Sequence, residues 1–501
     1  MTEFAEDPLE VQHAVLQRLT PHASMRKGVV SAARWGLFAR AGSQVLQLAG
    51  ILITARLLTP ADYGKLAVIV PVTNFASILT DMALGSGLIH ARRVTERLLA
   101  TAFWLNALTG VGLCVIVGTL SFPLARFYDE PQLVPLVWLS SLTFALNLAL
   151  VQTSLLERTF RFRAIATIEL VSTALNIALV AVLAARGAGA YSVVIGILLY
   201  TLCVTGATSA VVRYRPRAWM DRESARELWR FTGALTGYNV VNFWSRNADN
   251  LVLGRFVSQV ALGNYSRSYQ LMRLPIFQMS AMMNRVLFPA LSRLRDDPKR
   301  LGRAWLRALA VAGSITTPIS LGIAVIAPSM VHVLFGQRWM GMVPILEILS
   351  VAALPQIYTT TVGGVLRATD ATHLLFRLSL ISAAMTFVAI GVGLPWGTLG
   401  VAIALTVKFF LELPLGMVPC LRRTGVTLSE LWDSTRGTLI AGGLMYAAGW
   451  AVRLSMESSY RFAAVLVAQF LVCAAVYLTT LRLLDKRLMT EILSLVRRGA
   501  R

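Results

Sequence analysis

Long apolar runs alternate with short polar segments along almost the whole chain. A helix needs about 20 apolar residues to cross roughly 30 Å of hydrocarbon. Runs of that length occur at 34–56, 65–89, 98–120, 132–156, 164–185, 189–212, 231–254, 264–290, 304–327, 342–366, 374–394, 397–419, 437–453 and 462–481. The pattern predicts an all-α polytopic membrane protein with about fourteen transmembrane helices.

Composition agrees with the pattern. Hydrophobic residues make up 56% and charged residues 14% of the 501 positions, with a mean hydropathy of +0.64, whereas soluble chains carry about a quarter charged residues. The net charge of +22 does not point to nucleic acid, because the arginines are spread over alternate connections. One set of connections holds Arg92, Arg93, Arg97; Arg158, Arg161, Arg163; Arg213 to Arg230; Arg293 to Arg307; and Arg422, Arg423, Arg436. The other set holds one or none, as at Arg126, Arg186 and Arg338. This asymmetry is the positive-inside pattern and predicts both termini in the cytoplasm. Anionic headgroups of the phospholipid bilayer are the simplest partners of that charge. Residues 1–28 lack an apolar core and read as a cytoplasmic tail rather than a signal peptide. Cys114, Cys203, Cys420 and Cys473 lie in or beside apolar spans without CxxC spacing, which suits small core residues better than a metal site.

A short internal repeat organises the chain. The first span leaves through ARLLTPADYG (55–64) and the seventh through GRFVSQVALG (254–263); 199 residues separate Arg56 from Arg255 and Gly64 from Gly263. The repeat predicts an N-terminal lobe at 29–212 with six helices, a cytoplasmic linker at 213–230, and a C-terminal lobe at 231–419 with six more. A second linker at 420–436, two extra helices within 437–481 and a basic tail at 482–501 complete the chain. Repeated halves are common in secondary transporters, whose substrate sites lie between them.

No Walker loop and no HExxH motif occur, and the five histidines are scattered. No cofactor is expected. The uncharged-side connections are short, which disfavours an enzyme. What stands out instead is polarity inside the spans. Tyr238, Asn242, Ser245 and Asp249 form one helical line in the seventh span, with Arg246 and Asn250 beside it. The first span carries Arg40, Gln44 and Gln47, the second Asn74, Ser77 and Asp81, and the eighth Tyr265, Tyr269 and Arg273. An arginine or aspartate at mid-membrane is unfavourable by about 2.5–3.5 kcal/mol, so such residues face an internal cavity or a partner. Arg246 and Asp249 either line such a cavity or form an intrahelical pair; Arg56, Arg255 and Arg285 suit headgroups better than a ligand. Lys408 and Glu412, four residues apart, read as a structural pair. A cavity lined by arginine suits phosphate, because the guanidinium fork grips phosphate oxygens in pairs, and Tyr238, Tyr265, Tyr269 and Asn242 would suit sugars.

Three ordered stretches, DNLVLGRFVSQVALGNYSRSYQL, LLERTFRFRAIATIELVSTALNIALVAVLAARGAGAYSVVIG and GGVLRATDAT, resemble the bacterial oligosaccharide flippases. These form the Wzx-like branch of the multidrug/oligosaccharidyl-lipid/polysaccharide exporter superfamily, and the colanic-acid-exporter-like members are most similar. The resemblance covers roughly residues 30–420. It implies two six-helix lobes in a V around a central cavity, plus two extra helices, and transport of an undecaprenyl-diphosphate-linked oligosaccharide from the inner to the outer leaflet by alternating access. Carried over by position, the cationic cavity falls on Arg40, Arg246 and Arg273. Asp81 and Asp249 become candidates for coupling to H+ or Na+, and a polysaccharide polymerase becomes a candidate partner. A multidrug exporter of the same superfamily and a membrane polysaccharide polymerase or ligase are the competing readings. Two departures stand out: Tyr191 where that family usually has Trp, and Asp370 where Gly is common.

Overall fold

The computed structural model describes residues 42–81, 85, 88, 95–159, 161–226, 243, 249–456, 462–486 and 488–490, with the side chains of Asp81, Phe277, Gln278, residues 280–290 and Thr372 outside that description. Every regular element among the described residues is helical. Nine segments there are long and apolar enough to cross a membrane, ten if one bent pair counts as a single span. The protein is a multi-pass membrane protein. Its contacts group the chain into two compact units, Met1–Arg255 and Phe256–Arg501.

The first unit contains α1 (42–57), α2 (Pro60–Asp81), α3 (Glu96–Phe127), α4 (Leu133–Leu146), α5 (Leu150–Arg158), α6 (Phe162–Ala185), α7 (Ala190–Val212) and α8 (249–256). The single span expected at 132–156 is broken: α4 and α5 meet at 47°. A break in hydrocarbon frees backbone carbonyls that must find donors, and two side chains supply them. Asn106 Nδ2 donates to the Asn147 carbonyl at 2.7 Å and Thr205 Oγ1 to the Leu146 carbonyl at 3.0 Å. Gly110 makes room for the bend, since a Cβ there would lie 2.4 Å from the Phe144 carbonyl oxygen. The division between units also falls later than the expected 213–230 linker. The reason is that α8 is tied to the α3 exit: Tyr128 donates to the Leu251 carbonyl at 3.0 Å, and Arg255 pairs with Asp129 at 2.6 Å while lying 5.7 Å from the Phe127 ring.

The second unit contains α9 (Gln259–Ser292), α10 (Pro298–Met330), α11 (Val343–Ala368), α12 (Thr372–Gly393), α13 (Gly397–Thr424), α14 (Leu428–Met456) and α15 (Phe462–Leu484). The sequence repeat reappears as local structure. The starts of α2 and α9, Pro60 and Gln259, are 199 residues apart. In both, a hydroxyl at the preceding residue accepts from the backbone N–H three positions on: Thr59 from Asp62 at 3.3 Å and Ser258 from Ala261 at 3.3 Å. Asp62 returns the contact by accepting from the Thr59 amide at 2.9 Å, and its other oxygen accepts from the Ala190 amide that opens α7 at 3.1 Å. This capping box therefore fastens two helix starts with one carboxylate.

Glycines set the closest approaches. α12 folds back onto α13 through Leu394–Trp396; a Cβ on Gly400 would lie 2.3 Å from the Gly393 carbonyl oxygen. The linker expected at 420–436 shrinks to three residues, because Gly425 ends α13 at φ +66° and Thr427 with Glu430 opens α14 at once: the Thr427 amide donates to Glu430 Oε2 at 2.8 Å, and the Glu430 amide to Thr427 Oγ1 at 3.3 Å. The two final helices, which read as an appendage, are bonded into the unit. Gln469, fully buried, donates to the Val325 and Gly449 carbonyls at 3.2 and 3.3 Å, and Tyr477 donates to the Ser314 carbonyl at 2.7 Å. Glu347, isolated in the sequence, meets Arg453 of α14 at 2.9 Å.

Lys408 is the deepest cation of α13, 5% exposed, and its ammonium donates to Glu412 at 2.5 Å and to Ser382 of α12 at 3.0 Å. Two consequences follow for stability. Lys408→Met and Glu412→Leu should each lower thermal stability strongly, by about 3–5 kcal/mol, because each leaves the other charge uncompensated. The double variant should recover most of that loss in a melting series of purified protein; equal additivity would contradict a shared pair. Asp370 adopts φ +52° in the turn before α12, the conformation that glycine takes without strain. Asp370→Gly should leave the melting temperature unchanged or raised, while Asp370→Val should lower it by the equivalent of about 1–2 kcal/mol.

Candidate functional site

The stretch YSRSYQLMR places Tyr265, Tyr269 and Arg273 at four-residue steps, which a 3.6-residue turn stacks along one face of α9. The rings of Tyr265 and Tyr269 are 5.9 Å apart and nearly parallel at 18°, and the Arg273 guanidinium lies 5.6 Å from the Tyr269 ring centroid. Tyr265 is fully buried, whereas Tyr269 and Arg273 are half-buried. The ladder thus runs from a sealed foot to an accessible cation. A guanidinium stacked on a ring is held by its face, worth about 0.5–2 kcal/mol, and keeps its five edge N–H donors for oxygens. Tyr265, read as a cavity residue, instead forms the closed base of this ladder and reaches no solvent.

The foot is anchored. Ser268 Oγ donates to the Asn264 carbonyl at 2.8 Å and to the Met342 carbonyl at 3.0 Å, so the start of α9 rests on the tight turn Gln337–Met342 that precedes α11. A Cβ on Gly341 would come within 2.8 Å of Asn264 Nδ2, which fixes that approach. Between the tyrosines lies a cation that reading the sequence passed over. Arg267 is 7% exposed and donates to Gln270 Oε1 at 2.6 Å. Its signal was the Arg-x-x-Gln spacing, which puts both side chains on one face.

The other expected site residues fall in the first unit or outside the described residues. Gln44 and Gln47 are exposed on α1. The packing face of that helix is elsewhere: a Cβ on Gly42 or Gly50 would touch Leu170 or Ile177 of α6, at 3.1 and 3.0 Å. The amides are therefore left for whatever fills the space beside the helix. Phe75 of α2 meets Phe243 with ring centroids 5.8 Å apart, so the second and seventh spans are neighbours. Asp249 is 4% exposed on α8. Arg255, expected to seek headgroups, pairs with Asp129 as described above. Arg40, Tyr238, Asn242 and Arg246 lie outside the described residues, as does the side chain of Asp81. The structure therefore gathers Tyr265, Tyr269 and Arg273 into one constellation and places Gln44, Gln47 and Asp249 in the other unit.

Comparison with known proteins gives the same outline from a different direction. Lipopolysaccharide biosynthesis protein WzxC of Escherichia coli (strain K12) is 27% identical over 391 residues, covering 77% of this chain and 79% of WzxC. Among solved structures, the lipid II flippase MurJ in an inward closed conformation superposes with a TM-score of 0.71 at 14% identity, covering 92% of this chain and all of MurJ. An inward-facing multidrug resistance transporter of the MATE family superposes with a TM-score of 0.57 at 17% identity, covering 76% of this chain and 95% of the transporter. At those identities the two superpositions establish the fold alone. The sequence pattern of the family described as "Polysaccharide biosynthesis protein" matches residues 53–344. That match takes in more than half of the chain, and the chain belongs to the polysaccharide biosynthesis protein family.

Proposed function

We propose that the protein is a flippase that carries an oligosaccharide linked to undecaprenyl diphosphate from the inner to the outer leaflet of the bacterial cytoplasmic membrane, with both termini in the cytoplasm. The observation that carries this reading is the α9 ladder: an accessible guanidinium held by its face on Tyr269, offering paired donors to a diphosphate beside aromatic surface suited to sugar rings. The fold shared with a lipid II flippase and the likeness to WzxC support it. The lipid tail stays in hydrocarbon while the charged head crosses by alternating access between two halves, as repeated transporters do.

Gln44 and Gln47 would offer amides to the glycan, and Arg40, Arg246, Asn242 and Tyr238 would contribute further cationic and polar groups. Asp81 and Asp249 would couple transport to H+ or Na+. The burial of Asp249 supports that role, because a carboxylate removed from water exchanges a proton or binds a cation at little further desolvation. A polysaccharide polymerase would use the delivered repeat unit. An exporter of organic cations, which would need carboxylates where the ladder presents arginine, fits these residues less well.

A deletion strain should accumulate lipid-linked oligosaccharide on the cytoplasmic leaflet, and wild-type protein should clear it. Arg273→Ala and Arg246→Ala should each reduce clearance, by roughly tenfold to a hundredfold for the loss of one charge-assisted contact. Arg273→Lys should recover part of it. Absence of accumulation, or accumulation exposed on the outer leaflet, would overturn the reading, as would full complementation by Arg273→Ala in protein shown to be present and folded. Coupling is checked separately: if the Asp81→Asn, Asp249→Asn double variant keeps its gradient dependence in vesicles, those carboxylates are not the coupling groups.

A further inference from the structure

The connection that follows α7 is not a loose linker in its described part, residues 213–226. Arg213 turns the chain at φ +53°, and the segment folds back along the start of α3 through a series of bonds. Tyr214 donates to Glu96 Oε1 at 3.1 Å, the Arg217 amide donates to the same oxygen at 2.9 Å, and the Asp221 amide donates to Thr101 Oγ1 at 3.0 Å. Trp104 donates its indole N–H to the Ala218 carbonyl at 3.1 Å and meets the Trp219 ring at 4.3 Å. Burial and the neighbouring Glu96 carboxylate hold the Tyr214 phenol far above its ordinary range, so it remains a donor. Asp221 caps the next turn by accepting from the Ser224 amide at 2.8 Å.

Glu96 and Asp221 are engaged with backbone and phenol, Glu223 stands exposed, and the guanidiniums are left over. Arg213, Arg215, Arg217, Arg222 and Arg226 are all exposed, and no described carboxylate lies within ion-pair distance of them. In the second unit, by contrast, Arg295, Arg300 and Arg436 are each matched by aspartate, at 3.5, 3.2 and 3.3 Å. Beside the unmatched cations stand two exposed apolar groups, Trp219 at 62% and Met220 at 37%. Tryptophan prefers the headgroup level of a membrane, and arginine at that level attracts anionic lipid.

We infer that residues 213–222 form a fixed binding strap for anionic phospholipid headgroups of the cytoplasmic leaflet, with Trp219 and Met220 inserted at the headgroup level and the arginines gripping lipid phosphates. The strap is bolted to α3 by backbone amides and ring contacts, so its charges are presented without the ordering loss a free linker would suffer. The inference does not depend on the transport reading; it concerns a different ligand and a different surface.

The full-length protein, reconstituted in phosphatidylcholine vesicles, tests it with brominated lipid as a contact quencher. Trp219→Phe isolates the Trp219 component of the emission. At equal mole fraction, brominated phosphatidylglycerol should quench that component more strongly than brominated phosphatidylcholine, and the preference should fade at high salt. The variant Arg215→Gln, Arg217→Gln, Arg222→Gln keeps every backbone bond of the strap, and it should lose the preference by on the order of a hundredfold in lipid association. Equal quenching by both lipids in wild type would overturn the inference, and so would an unchanged preference in the triple variant. If undecaprenyl diphosphate at a small mole fraction abolishes phosphatidylglycerol quenching, the strap recognises the carrier lipid instead and the phospholipid assignment fails.

Discussion

Hydrocarbon supplies no hydrogen bonds, and every polar group this chain sends into the membrane must bring its own partner. That constraint explains the less regular features of both units. The broken span α4–α5 exists because Asn106 and Thr205 capture the carbonyls that the bend exposes. Gln469 ties a carbonyl of α10 to one of α14, and Lys408 is carried into α13 with Glu412 and Ser382 already in place. Arg273, half-buried, is instead held over the Tyr269 ring with no described carboxylate paired to it.

The all-helical, multi-pass character of the chain was legible because membrane spans announce themselves by length and apolarity. The parts that were not legible depend on single side chains acting at a distance. Nothing between residues 132 and 156 marks the bend, since the residues that stabilise it are in α3 and α7. The linker expected at 420–436 vanished because the polar residues that suggested a loop, Thr427 and Glu430 among them, are a helix cap. Polarity alone does not distinguish a loop from the first turn of a helix; the three-residue spacing does. The repeat, by contrast, was visible in ten residues and proved to encode a shared way of starting a helix, with the hydroxyl at Thr59 and Ser258 in the same role.

The candidate site was legible in part. The four-residue rhythm of Tyr265, Tyr269 and Arg273 gave their common face, but not the sealing of Tyr265, which follows from the anchoring of α9 on the turn before α11. Arg267 escaped notice because its sequence neighbours are small and polar. Asp370 shows the opposite case: the departure from the family's usual glycine had a backbone meaning, the positive φ of that turn, which no pattern of hydrophobicity carries.

The pairing of Lys408 with Glu412 also has an electrical meaning. A displacement of α13 carries both charges of this pair together, so the pair itself transfers no net charge across the membrane. Arg273 on α9 has no such partner among the described carboxylates and would carry its own full charge with it. Carrying one such charge through the whole field changes the energy by about 2.3 kcal/mol per 100 mV, so the Arg273 charge feels the voltage in proportion to how much of it a bound anion leaves uncancelled.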